Sequence, residues 1–380
     1  MSSSTVANAE VVNLTGSFAV SFPAMRGVQA GREFFVIMCP LRYLPRLFLF
    51  DEEDVPPELR AQRGLNRNRL PGLVRYITEN REDYVFSALT ASVDGSLAFE
   101  PSDSDSPHGQ RLGVLRISMD SRFLINDGQH RRAAIEEALK NDPSLAEETI
   151  AIVIFADEGL ARSQQMFADL NRHAVRPPRS IGVLYDHRDD DSGIARLVVI
   201  QSDFYRGVVE MERSTLSATS RKLFTLSAIY GATQALLQGQ QYDSVETAAD
   251  VASSFWEAIR PFFPEWEEVR RGRLIARDLR TDFIHSHGIA LQAIGRVGNT
   301  VLRAHESGIP AWTERLNGLA TIDWSRTNTR LWEGRAIVGG RVTKSGNNVT
   351  LTTNALRTHL GMPLSPEEQR VEDAYLEGNQ

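Results

Sequence analysis

The chain reads as α+β: a mixed-sheet domain, a mainly helical domain behind it, and a small C-terminal strand–turn–strand/helix segment with an acidic tail. Three observations predict this. Apolar and alternating runs of strand length cluster before residue 156, and from Gly159 onward the apolar period is mostly helical. Near the C-terminus, Gly339-Gly340 punctuates two short β-type runs. The boundaries drawn are 1–12 for a loose tail, 13–185, 186–330 and 331–380.

Residues 17–22 and 33–38 alternate or run apolar around a 27–31 loop, which predicts a hairpin. The acidic, proline-bearing stretch 51–57 is a surface loop. Residues 58–80 have helical character, interrupted near Pro71-Gly72, and carry Arg60, Arg63, Arg67, Arg69 and Arg75. Residues 84–86 and 88–93 are strand-like. A low-complexity loop at 100–107 leads to a strand at 112–119, and 149–155 reads as a buried strand. Helices are expected at 161–171, 180–186, 193–202, 220–239, 246–260 and 281–306, with a break at Pro177-Pro178. Phe255, Trp256, Ile259, Phe262 and Phe263 share helical spacing, as core residues do. Residues 339–353 suggest strand–turn–strand, with a helix at 354–360. There is no internal repeat.

At 380 residues the chain can hold two or three compact units, and 42% hydrophobic with 24% charged residues is ordinary for a soluble protein. No apolar run approaches the roughly 20 residues that span a bilayer. The first ten residues lack the basic and apolar regions of a signal peptide, so the expected location is the cytoplasm. Cys39 is the only cysteine, which excludes an intramolecular disulfide and a cysteine-rich metal site. Its apolar surroundings suggest a buried, inert thiol. The net charge of −7 argues against uniform coating of nucleic acid, though a local basic footprint stays compatible with it. Lysine occurs only at Lys140, Lys222 and Lys344, so arginine carries the positive charge. Arginine suits bidentate phosphate and guanine contacts; a GC-rich genome gives the same bias.

The most informative stretch is 123–139. The apolar run Phe123-Leu124-Ile125 stops at the turn signal Asn126-Asp127-Gly128, and a helix follows with Ala134, Ile135, Ala138 and Leu139 on one face. Gln129, His130 and Arg131 then occupy the first helical turn, beside free N–H groups and the positive end of the dipole. That geometry suits an anion, most often a phosphate. Equally, Asp127 could be a plain N-cap, and Arg131 and Arg132 could be solvated or paired with Glu136.

Arginine is concentrated in three further places: Arg60 to Arg75, interleaved with Asn66 and Asn68; Arg172, His173, Arg176 and Arg179; and Arg270, Arg271, Arg273, Arg277 and Arg280. Each could contact DNA phosphates or be a solvated face. No helix-turn-helix is legible. His285 and His287, with Asp282 nearby, do not share a helical face and read as structural rather than metal-binding. No nucleophile elbow supports a Ser-His-Asp hydrolase.

Asp127-Gly128-Gln129-His130-Arg131 is the signature of the DGQHR-domain family, which this chain resembles. Residues 166–174, an aromatic followed by the Asn171-centred helix end, resemble that family's second block. Residues 217–227 and His285-Ser286-His287-Gly288 resemble its DndB branch, encoded with the DNA phosphorothioation machinery. The resemblance runs from about Gly16 to about Leu364. It implies a DNA-binding regulator that represses its modification operon, with double-stranded promoter DNA as partner. It also implies a fold similar to the ParB and sulfiredoxin group. ParB-type proteins carry Gly-Glu-Arg-Arg-x-x-Ala there; here Gly128, one arginine and an alanine match, and Gln129 replaces the glutamate. Sulfiredoxins carry Gly-Cys-His-Arg, so Gln129 also stands where their thiolate nucleophile would be. The phosphate-cradling half of the motif survives and the sulfur chemistry does not.

On this likeness Gly128, His130 and Arg131 would hold phosphate, with Asn171 and Arg172 approaching from the next helix. Arg60, Arg63, Arg67, Arg69, Arg75, Arg176 and Arg179 would contact DNA. The rival expectation is a ParB-like NTPase, also DNA-nicking in one version, in which Asp127 and Gln129 serve catalysis and ATP or another NTP binds with Mg²⁺. No Walker A sequence is present. No resident metal is expected, and contacts with other sulfur-modification proteins or a second copy stay open.

Overall fold

The computed structural model describes residues 19–48, 67–156, 166, 169–170, 177–304 and 308–378. The chain divides into two compact units, Met1–Val175 and Arg176–Gln380. Architecture is mixed α+β, with the large sheet in the first unit and most helices in the second.

In the first unit seven strands form one sheet: β1 (Ala19–Gln29), β2 (Arg32–Pro40), β3 (Leu89–Asp94), β4 (Leu97–Pro101), β5 (Leu112–Ser118), β6 (Arg122–Asp127) and β7 (Thr149–Ala156). Their order is β4-β5-β1-β2-β7-β3-β6. The β1–β2 hairpin turns on Ala30 and Gly31, at φ 52° and 76°, the left-handed pair that matches strand twist. It is tighter than the 27–31 loop expected, because β1 continues through Gly27. The β3–β7 pair is parallel and the others antiparallel, which makes the sheet mixed.

Alternation does the sorting. Ile150, Ile152 and Ile154 of β7 and Phe35, Ile37 and Cys39 of β2 are buried, and Ala134, Ile135 and Ala138 of α3 (Gln129–Asn141) join the same core. Burial pushes the Cys39 thiol up to about 12, so it is protonated and inert. Helix α1 is Leu44–Leu47 and α2 is Leu70–Glu79; Pro71 starts α2 rather than interrupting it, since its missing N–H falls where no helical bond is due. Residues 84–86 form no strand: Val85 N donates to Tyr76 Oη at 2.9 Å, and Phe86 packs on Tyr76 and Tyr84. The expectations for 1–12, 51–57 and nearly all of 161–171 lie outside the described residues.

The second unit is built from α4 (Arg179–Tyr185), α5 (Asp190–Gln201), α6 (Leu226–Leu237), α7 (Val245–Ile259), α8 (Pro264–Arg270), α9 (Ala276–Asp282), α10 (Gly288–Arg303), α11 (Ile309–Leu316), α12 (Thr329–Trp332), α13 (Gly346–His359) and α14 (Pro366–Glu377). Phe255, Trp256, Ile259 and Phe263 are buried in its core, as their spacing predicts, with Trp266 and Trp332 beside them. Helix α6 starts later than expected because Phe224–Thr225 pairs with Val209–Glu210, and the Thr225 hydroxyl then caps Ala228 N. Helix α10 starts only at Gly288, since Phe283 is tied by a β-bridge to Ser325.

The 339–353 reading needs correction. Two-residue strands Ile337–Val338 and Arg341–Val342 do flank Gly339-Gly340, but 346–359 is helix α13. Its β-branched run looks like a strand, yet the Thr352 and Thr353 hydroxyls donate to the carbonyls of Asn348 and Val349 at 2.7 and 2.8 Å. That back-bonding satisfies the hydroxyls inside a helix. No helix among the described residues is long and apolar enough to cross a membrane.

Candidate functional site

Strand β6 delivers the chain to Gly128, and α3 leaves from it. Phe123 and Ile125 anchor the strand in the core, and buried Asn126 donates to Ser92 Oγ at 2.6 Å. Gly128 sits at φ 101°, ψ 16°, in the left-handed region. A Cβ there would lie 2.4 Å from Leu89 Cδ2 and about 3 Å from the Arg131 guanidinium, so both backbone angle and space require glycine.

Being glycine, the N-cap supplies no side-chain oxygen, and no acidic residue lies in the first turn. The first helical hydrogen bond runs from Arg132 N to Gly128 O at 3.0 Å. The N–H groups of Gln129, His130 and Arg131 precede that ladder, at the positive end of a 13-residue helix. Asp127 is therefore not an N-cap. Its carboxylate instead accepts from Arg131 Nη2 at 2.7 Å.

The Arg131 guanidinium is committed within the protein. Nη1 donates to the carbonyls of Ser87 and Ala88 at 2.5 and 2.9 Å and contacts the Ser87 hydroxyl. It fastens the start of α3 to the entry of β3. Arg132 pairs with Glu136 at 3.0 Å and donates to Phe48 O at 2.9 Å.

Asp127, Gly128, Gln129, His130 and Arg131 line one side of an open cleft of about 390 Å³. Arg69 and Leu73 from the start of α2, and Val85, Phe86 and Ser87, also line it. Arg67, Arg69 and Arg75 are exposed and, among the described residues, have no carboxylate partner. The cleft thus brings Arg69 to the motif, a neighbourhood the sequence did not signal: residues 85–87 and 69 reach it only through tertiary packing. Asn171, Arg172, Arg176, Arg60 and Arg63 lie outside the described residues, and Arg179 belongs to the other unit.

What the cleft can do follows from its donors. Backbone N–H groups, His130 and Arg69 suit a phosphate oxygen, and the volume matches a small-ligand pocket. For a nucleotide with Mg²⁺, Asp127 is the carboxylate at hand, with one oxygen already taken by Arg131.

The third arginine group is largely neutralised. Glu267 binds Arg270 and Arg271, Glu268 binds Arg273, and Asp278 binds Arg277. Arg280 instead gathers the 217–222 loop, donating to the carbonyls of Ser217, Ser220 and Lys222. His285 is buried, accepts from Trp266 Nε1 at 2.8 Å through Nδ1, and has its pKa pushed down to about 3 by burial. His287 Nε2 bonds the Arg280 carbonyl at 2.8 Å. Both histidines brace the loop and core.

No curated protein and no solved structure matches this chain. A family model described as DndB, DNA-sulfur modification-associated, matches residues 22–363, covering the sheet, the cleft and nearly all of the helical unit. The chain therefore belongs to the DndB family of proteins associated with DNA sulfur modification.

Proposed function

We propose that this chain is a DNA-binding repressor of the genes for DNA phosphorothioate modification, with its DGQHR cleft holding a phosphate. The observation that carries the reading is the junction of two features. The uncapped start of α3 opens into the same cleft as Arg69, and Arg67 and Arg75, close to Arg69 in sequence, are exposed without carboxylate partners among the described residues. A backbone phosphate seated on the N–H groups of residues 129–131 would fix the register of a duplex against these arginines. His130 and Arg69 contact the phosphate, while Arg131 positions the turn. In this reading Arg60, Arg63, Arg176 and Arg179 also contact DNA, and the fold is of the ParB kind.

The test is binding of the modification operon's promoter duplex against a shuffled duplex, for wild type and Arg69→Ala. Promoter preference that weakens in the variant supports the reading; equal affinity for both duplexes defeats it.

A second reading has one observation in its favour: the cleft is large enough for the phosphates of a nucleotide, and Asp127 and Gln129 line it. In that case the protein is a ParB-like NTPase whose nucleotide state gates DNA binding. Phosphate release from ATP that disappears in Asp127→Asn and Gln129→Ala, with folding intact, would favour it.

A further inference from the structure

We infer that the DGQHR cleft selects phosphorothioate diesters over ordinary phosphate diesters, with Leu73, Val85 and Phe86 receiving the sulfur. The inference rests on the phosphate reading of this cleft and names what that phosphate carries. Hydrogen-bond donors account for only part of the lining. Leu73, Val85 and Phe86 line the same cleft as Arg69 and the 127–131 motif. Val85 is 77% exposed, the highest fraction of any large apolar side chain among the described residues.

The backbone holds that valine in place. Val85 N donates to Tyr76 Oη at 2.9 Å, and the same hydroxyl donates to the Val85 carbonyl at 3.4 Å. The Phe86 ring centroid lies 5.7 Å from those of Tyr76 and Tyr84. At the next residue, Ser87 O accepts from Arg131 Nη1 at 2.5 Å. Residues 85–87 are thus tied to α2 through Tyr76 and to the first turn of α3 through Arg131. Leu73 and Phe86 also pack in part on the core of the first unit.

An ordinary diester has two non-bridging oxygens, and each needs a donor once water leaves it. Set against Val85 and Phe86, an oxygen loses water and gains no donor. A phosphorothioate carries sulfur in place of one of these oxygens, and sulfur is softer, more polarisable and a weaker acceptor. It gives up less on leaving water and gains contact with apolar and aromatic surface. The diester keeps its single negative charge, so Arg69 and the N–H groups of residues 129–131 act on both compounds. A cleft lined by donors alone favours phosphate; one lined by donors and apolar groups favours the sulfur compound. The two configurations at phosphorus exchange sulfur and oxygen, so a fixed lining also favours one of them. In a family associated with DNA sulfur modification, the phosphorothioate diester is the modified product itself.

The test uses the full-length protein with two small diesters, dimethyl phosphate and O,O-dimethyl phosphorothioate, both monoanions at neutral pH. Affinities are read from the amide NMR signals of residues 129–131. Wild type should bind the phosphorothioate about fivefold more tightly, the size of one sulfur contact with apolar or aromatic surface. Val85→Ser puts a hydroxyl at an exposed position and should bring that ratio to about one. Arg69→Ala should weaken both diesters and keep the ratio, since it removes charge.

Equal affinity of wild type for the two diesters overturns the inference, as does a preference that survives in Val85→Ser. Promoter duplexes with Rp, Sp or no phosphorothioate carry the comparison to DNA, where one configuration should bind most tightly. Three equal affinities there also overturn it. Should wild type show no preference for promoter over shuffled duplex, the repressor reading falls, and the small diesters still decide this inference. Should neither diester move the 129–131 signals, the phosphate reading and the inference fall together.

Discussion

Arg131→Ala should destabilise the first unit rather than simply weaken a ligand. The Arg131 side chain is 16% exposed, and its guanidinium satisfies the carbonyls of Ser87 and Ala88. Losing two such bonds costs about 1 kcal/mol each. The Ser87 hydroxyl contact and the ion pair with Asp127, which is 46% exposed, add about 1 kcal/mol together after solvent screening. The total of about 3 kcal/mol corresponds to a fall in melting temperature of about 6–12 °C for a unit of this size. Arg131→Lys keeps the charge but not the fork, and should recover no more than about 1 kcal/mol. Thermal unfolding followed by circular dichroism measures both variants. If Arg131→Ala melts with wild type while losing phosphate binding, the guanidinium is a ligand contact and the positioning role assigned to it is wrong.

Gly128→Ala combines a left-handed backbone angle with a Cβ 2.4 Å from Leu89 Cδ2, and should cost about 2–4 kcal/mol in urea unfolding. The folded fraction should also bind inorganic phosphate more weakly, because the N–H groups of the first turn are displaced. His285 offers a pH signature. Its folded pKa, about 3, lies below the unfolded value of 6.5, so its contribution is whole above pH 6.5 and is lost as pH falls toward 3. Between pH 7 and 5 this removes about 2 kcal/mol that His285→Gln, which still accepts from Trp266, should not lose. Arg280→Ala should leave the 217–222 carbonyls without their donor, and proteolysis should cut that loop first.

Local signals carried the turn and helix of 126–139. A strand-length apolar run, an Asp-Gly turn and a 3.6-residue stripe are all encoded within a dozen neighbouring residues. The role of Arg131 was not encoded there, since its partners Ser87 and Ala88 are more than forty residues away and meet it only through β3–β6 pairing. The sequence left the 270–280 group open between a DNA contact and a solvated face, although its acidic partners are only one to five residues away. Glu267 pairs at helical spacing and Asp278 with its chain neighbour, while the Glu268–Arg273 pair depends on the turn that follows α8. Helix α13 was misread because β-branched residues favour strands in general, while buried threonines can bond back within a helix.

The claim that phosphate recognition at the DGQHR cleft serves DNA binding is tested most directly by the salt dependence of promoter affinity. Wild type and Arg69→Ala are compared by fluorescence anisotropy from low to physiological salt. The account predicts that Arg69→Ala, with unchanged melting, binds about five- to tenfold more weakly and lowers the log–log salt slope by about one. Identical slopes and affinities for the two proteins would contradict it.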